Sequence, residues 1–236
     1  MEGFNLSCVI FAGMLEKESL VKLLSLFFFD CIFALLFLSN IPAGRSRVAK
    51  RVAVFCGSSG GHGTKFLESA MRLADEMVKA DLQLVYGGGH VGMMGAVADQ
   101  VLKLSGTVIG VIPQFLVERE IAHKGLSELI VVETMHERKY KMAELSDIFV
   151  ALPGGYGTLD EFFEIVTWSQ LGLHKKPCIL LNVHGYFDEI FAWIDKAAAT
   201  GFVRDEHKSI ILCANSEEEA VTIGLNYEHK IKAKWS

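Results

Sequence analysis

From Ala151 the chain reads ALPGGYGTLDE, which sets two carboxylates, Asp160 and Glu161, directly behind Pro153 and three glycines, Gly154, Gly155 and Gly157. A tight turn needs one glycine; three let something approach the main chain closely. Where such a loop opens a helix, free N–H groups and the positive end of the helix dipole suit a phosphate. Thr158 and Glu161 also form T-x-x-E, so Glu161 has a second reading as the reciprocal partner of a capping box.

Two further stretches share this character, GSSGGHG at 57–63 and GGGHVGMMG at 87–95. Each precedes a helical pattern, so each is a candidate anion seat. Gly87, Gly89 and Gly92 fit GxGxxG, but the next apolar run ends in VIPQ, with no acid placed for a ribose 2′-hydroxyl. That disfavours NAD, and the absence of GxxxxGK[ST] excludes a Walker-type ATPase. His136 has no HxxH or HExxH partner and no other histidine has metal-ligand spacing, so neither metal nor cofactor is expected.

The elements that must carry these loops are legible from Val52 onward. VAVFCG, LQLVYGGG, TVIGVIP, LIVVE, IFVALPGG, CILLNV and SIILC are short β-rich runs, apolar nearly throughout, as in strands buried on both faces. Helical patterns lie between them at 65–80, 93–105, 137–146, 158–173 and 186–200. Repeated βα units predict a doubly wound, Rossmann-like parallel sheet of about seven strands with helices on both faces. Residues 49–236 form one domain in this reading. Ligands of such sheets bind beyond the carboxyl ends of the strands, where strand order reverses.

The net charge of −5, with scattered basic residues, gives no footprint for nucleic acid. The five cysteines, Cys8, Cys31, Cys56, Cys178 and Cys213, form no CxxC pair and read as reduced thiols in a cytoplasmic protein. Residues 1–48 are an extension of different character, with an apolar run from Leu23 to Leu38 broken by Ser25 and Asp30. An anchor, a targeting segment and a start set too far upstream are the readings open for it. Membrane contact is expected only through residues 20–39, and Arg45, Arg47, Lys50 and Arg51 beyond it would keep the main domain cytosolic.

Together with VYGGGHVGMMG, GVIP, MHERKYKMAELSD and LGLHKKPCILLN in order, PGGYGTLDE resembles the cytokinin riboside 5′-monophosphate phosphoribohydrolases, the "Lonely guy" family once described as lysine decarboxylases. The resemblance covers roughly residues 52–227. It implies hydrolysis of the N-glycosidic bond of an N6-modified adenosine monophosphate, in a homodimer. By position it makes Arg138 and Glu161 the catalytic pair. It adds Lys139, Gly154, Gly155, Gly157 and Thr158 to the nucleotide site, with Ser58, Ser59, Gly88, Gly89 and Met94 lining the same cleft. After CGSS the chain has Gly60, Gly61, His62 and Gly63 where relatives usually carry a longer polar loop, and the resemblance assigns these four no role.

The implied chemistry suits the residues. Cleaving a ribosyl–base bond passes through an oxocarbenium-like state, which a carboxylate such as Glu161 stabilises while directing water. Arg138 would keep that carboxylate ionised and oriented, or fix the phosphate with its planar fork. No acid for the departing adenine stands out, although Asp160 is a candidate. One rival is a non-catalytic nucleotide carrier on the same fold, which would keep the glycine loops and lose the Arg138/Glu161 pair. The other is a pyridoxal-dependent decarboxylase, for which no lysine has a recognisable Schiff-base setting.

Overall fold

The structure, a computed structural model, describes residues 49–119 and 121–234. The expectations for residues 1–48, with Cys8 and Cys31, lie outside the described residues. Seven strands form a single sheet: β1 (Arg51–Phe55), β2 (Gln83–Tyr86), β3 (Val108–Pro113), β4 (Glu128–Val132), β5 (Ile148–Ala151), β6 (Cys178–Leu181) and β7 (Ile211–Ala214). Their spatial order is β4-β3-β2-β1-β5-β6-β7, and every pair is parallel. The chain therefore builds outward from β1 to β4, crosses over, and continues from β5 on the other side of β1. The reversal falls between β1 and β5, in register at Val54 with Val150 and Phe55 with Ala151.

Helices α1 (Lys65–Lys79), α2 (Gly92–Lys103), α3 (Gln114–Val117), α4 (Met135–Leu145), α5 (Tyr156–Gln170), α6 (Asp188–Ala199) and α7 (Glu217–Asn226) fill the connections. Alternation along each strand divides the core into two layers. Val52, Val54, Leu84, Tyr86, Ile148 and Val150 pack with Leu73, Met77, Val97 and Val101 of α1 and α2. Ala53, Phe55, Val85, Ile109, Phe149 and Ala151 pack with Met142, Phe162 and Ile165 of α4 and α5. The expected doubly wound sheet is what forms.

Two local readings need correction. Strand β4 is not buried on both faces: Leu129 and Val131 are 38% and 46% exposed. It is the edge strand, and only its other face, through Ile130 and Val132, meets the α4–α5 layer. Nor do Thr158 and Glu161 form a capping box. Helix α5 starts two residues earlier than the pattern suggests, with Gly155 as its N-cap and no side-chain cap. A side-chain cap forms at α4 instead, where Thr134 Oγ1 accepts from Glu137 N at 3.1 Å while Glu137 Oε2 accepts from Glu133 N, one residue before the cap, at 2.9 Å. Among the described residues no helix is long and apolar enough to cross a membrane.

Candidate active site

The three glycine loops meet at the switch point and are stitched together by one residue. Gly57 N donates to Pro153 O at 3.1 Å, and Met93 N donates to Gly57 O at 3.1 Å. Gly92, at φ +59°, lies so close to Ser58 that any Cβ there would overlap the Ser58 carbonyl. The start of α2 is thus partly consumed in holding the loops to one another. The start of α5 is not: without a cap, the N–H groups of its first turn lack intrahelical acceptors. They open onto a cleft of about 400 Å³ lined by Gly155, Tyr156, Gly157 and Thr158.

On the opposite wall α4 projects Arg138 toward α5. Its Nη1 lies 3.0 Å from Glu161 Oε1 and its Nε donates to the Val111 carbonyl at 3.1 Å. Both partners are buried, each 8% exposed. The guanidinium passes directly over Gly87, where a Cβ would fall on Nη2, so the absence of a side chain there admits it. Burial raises the Glu161 pKa above the ordinary 4.5, Arg138 opposes this without cancelling it, and Asp160 adds to the rise. A carboxylate so placed takes a proton more readily than a surface glutamate.

Of the other expected site residues, Ser58, Gly89 and Met94 line the cleft beside the pair. Ser59, Gly88, Gly154 and Lys139 are not among its lining residues. Ser59 Oγ accepts from Gly61 N at 3.3 Å, the Gly88 carbonyl accepts from His123 N at 2.9 Å, and the Gly154 carbonyl accepts from Tyr186 Oη at 2.7 Å. These three shape the loops from behind. Lys139 turns to the flank of α5, with Nζ 3.1 Å from both Asp160 Oδ2 and Glu164 Oε2.

The sequence reading passed over an apolar wall made by Ile112, Leu116, Ile121 and Met135, together with Cys56 at the end of β1. A signal existed for two of them: Met135 precedes Arg138 by three positions on one helix, and Ile112 is the last residue but one of a strand whose end must face the switch point. Burial, and then the nearby Glu161, pushes the Cys56 thiol up, so it contributes a neutral wall. Among the described residues no group of three or more His, Cys, Asp or Glu is placed to hold a metal ion.

The family described as "Possible lysine decarboxylase" matches residues 94–223. The chain is 49% identical over 181 residues to a cytokinin riboside 5′-monophosphate phosphoribohydrolase of Rhodococcoides fascians, covering 76% of this chain and 91% of that one. It is 47% identical over 172 residues to an Arabidopsis thaliana protein of the same name, covering 73% and 81%. The chain belongs to the cytokinin riboside 5′-monophosphate phosphoribohydrolase family. Among solved structures it resembles the Moco carrier protein of Chlamydomonas reinhardtii, with TM-score 0.57 and 20% identity over 74% of this chain and 94% of that one. That likeness speaks to the fold the phosphoribohydrolase family shares with more distant proteins, and to the fold alone.

Proposed function

We propose that the protein hydrolyses the N-glycosidic bond of cytokinin riboside 5′-monophosphates, releasing the free base and ribose 5-phosphate. The observation that carries this is the buried Glu161 carboxylate, 3.0 Å from Arg138, in the same cleft as an uncapped helix start. In this reading the 5′-phosphate sits on the first turn of α5, and Glu161 faces the ribose as positive charge develops there. Arg138 keeps that carboxylate oriented. Met94, Ile112, Leu116 and Ile121 offer an apolar surface for the N6 substituent.

The decarboxylase label has no comparable support, since no lysine is among the residues lining the cleft and Schiff-base chemistry requires one. The described thiols, Cys56, Cys178 and Cys213, are unpaired, as in a reducing compartment such as the cytoplasm. We assign the protein to a homodimer. Exposed Tyr140 and Leu173 flank an apolar groove of about 320 Å³ with Trp168 and Phe149, a surface suited to burial against a second copy.

The test is to incubate the purified protein with isopentenyladenosine monophosphate, AMP and the unphosphorylated nucleoside, and to quantify free base and ribose 5-phosphate. Base should appear from the isopentenyl monophosphate. The nucleoside should react about a hundredfold more slowly, the scale of two charge-assisted hydrogen bonds of about 1.5 kcal/mol each. No free base from any of the three would overturn the function. Equal turnover of the nucleoside would overturn the phosphate seat.

A further inference from the structure

Arg138 and Lys139 are consecutive on α4, and both reach α5, but they take different partners there. Arg138 pairs with Glu161, whereas Lys139 bridges Asp160 and Glu164 at 3.1 Å each. Asp160 and Glu164 stand four residues apart, a spacing at which like charges repel along a helix, and Glu161 lies between them. Lys139 is the cation that spans this repulsion. Its side chain is only 9% exposed, against 62% for Asp160 and 26% for Glu164. Burial alone would lower its pKa; the hydrogen bonds to the two carboxylates outweigh that and the net direction is up. With one donor bonded to Asp160 Oδ2, an ion-pair contact to Glu164 Oε2 and no place in the cleft lining, it is poorly set to hold a substrate phosphate.

We propose that Lys139 is a positioning residue for glycosidic cleavage: by gripping Asp160 and Glu164 it offsets part of their charge beside Glu161 and fixes the face of α5 that points Glu161 at Arg138. This role rests on the proposed hydrolysis. The charged or titratable groups facing Glu161 are Arg138 and Lys139 from α4, Asp160 and Glu164 from α5 itself, and Cys56 from the end of β1. Arg138 and Lys139 both favour the ionised carboxylate, whereas Asp160 and Glu164 oppose it. Without Lys139 only Arg138 opposes the two neighbouring acids, and Glu161 loses the charge the reaction uses at a higher pH.

The experiment is the pH dependence of kcat/KM on isopentenyladenosine monophosphate for the parent, Lys139→Met, Glu164→Gln and the double variant. The acid limb should move up by about one pH unit in Lys139→Met, the low end of what a neighbouring charge does. It should move down in Glu164→Gln and return toward the parent in the double variant. A raised KM with an unmoved acid limb would show instead that Lys139 holds the phosphate. Activity lost at every pH, unrescued in the double variant, would reduce Lys139 to a structural contact. If Lys139→Met does not fold, Glu164→Gln decides alone, because an unmoved limb there also overturns the role. A parent that releases no base sinks the hydrolysis and this role together, whereas a parent that releases base with an immobile limb sinks only the role.

Discussion

Glu161→Gln should release base about 10²–10³ times more slowly than the parent while melting at or above the parent temperature at pH 7. The amide keeps the shape and still accepts a hydrogen bond from Arg138 Nη1, so the packing around both side chains is preserved. It cannot supply negative charge to an oxocarbenium-like sugar. The stability direction follows from the raised pKa of Glu161. Protonation of a group whose folded pKa exceeds its unfolded value stabilises the fold. That contribution is complete below the ordinary carboxylate range and is lost as pH rises through the folded value. As pH rises through the folded value the parent must therefore take on a buried charge that the amide never carries, a cost to stability accepted at a working site. Thermal melts and base release on the same preparations check both halves. Parental rates in the folded variant would remove Glu161 from the chemistry.

Arg138→Met should both abolish turnover and destabilise the protein by about 3–5 kcal/mol at pH 8, the cost of leaving one partner of a buried ion pair behind. Two groups lose their donor at once, the Glu161 carboxylate and the Val111 carbonyl. With Arg138 gone, the larger of the two influences that hold the Glu161 pKa down is gone as well, so the carboxyl neutralises at a higher pH than in the parent. The deficit should accordingly shrink as pH falls toward 5, because a protonated Glu161 no longer needs the guanidinium. Denaturant titrations at the two pH values read this directly. An equal deficit at both would mean that the lost packing, and not the lost charge, accounts for it.

The strand pattern carried most of this fold, because a sheet with helices on both faces leaves unbroken apolar runs that few other structures explain. The exception, β4, has the composition of a buried strand, and composition does not say which strand ends at an edge. The glycine loops were legible as close-approach sites, but not the division of labour among them. That the α2 start is tied to Gly57 while the α5 start stays open depends on hydrogen bonds between segments 36 to 96 positions apart. Arg138 and Lys139 look alike in the chain as neighbouring cations. Only the docking of α4 on α5 separates them, sending one to Glu161 within the cleft and the other to Asp160 at its lining and Glu164 beyond it.

Gly57, bonded through both its N–H and its carbonyl, gives the cleft two populations of amide hydrogens. Those of Gly57 and Met93, locked between loops from distant parts of the chain, should exchange with deuterium only when the switch point comes apart as a unit. Those in the first turn of α5 have no internal acceptor and should exchange freely until an anion covers them. Deuterium uptake at Gly157 and Thr158, with and without a nucleotide monophosphate, would thus report occupancy of the phosphate seat without turnover, and the Gly57 amide would serve as the built-in reference for a cleft that has stayed assembled.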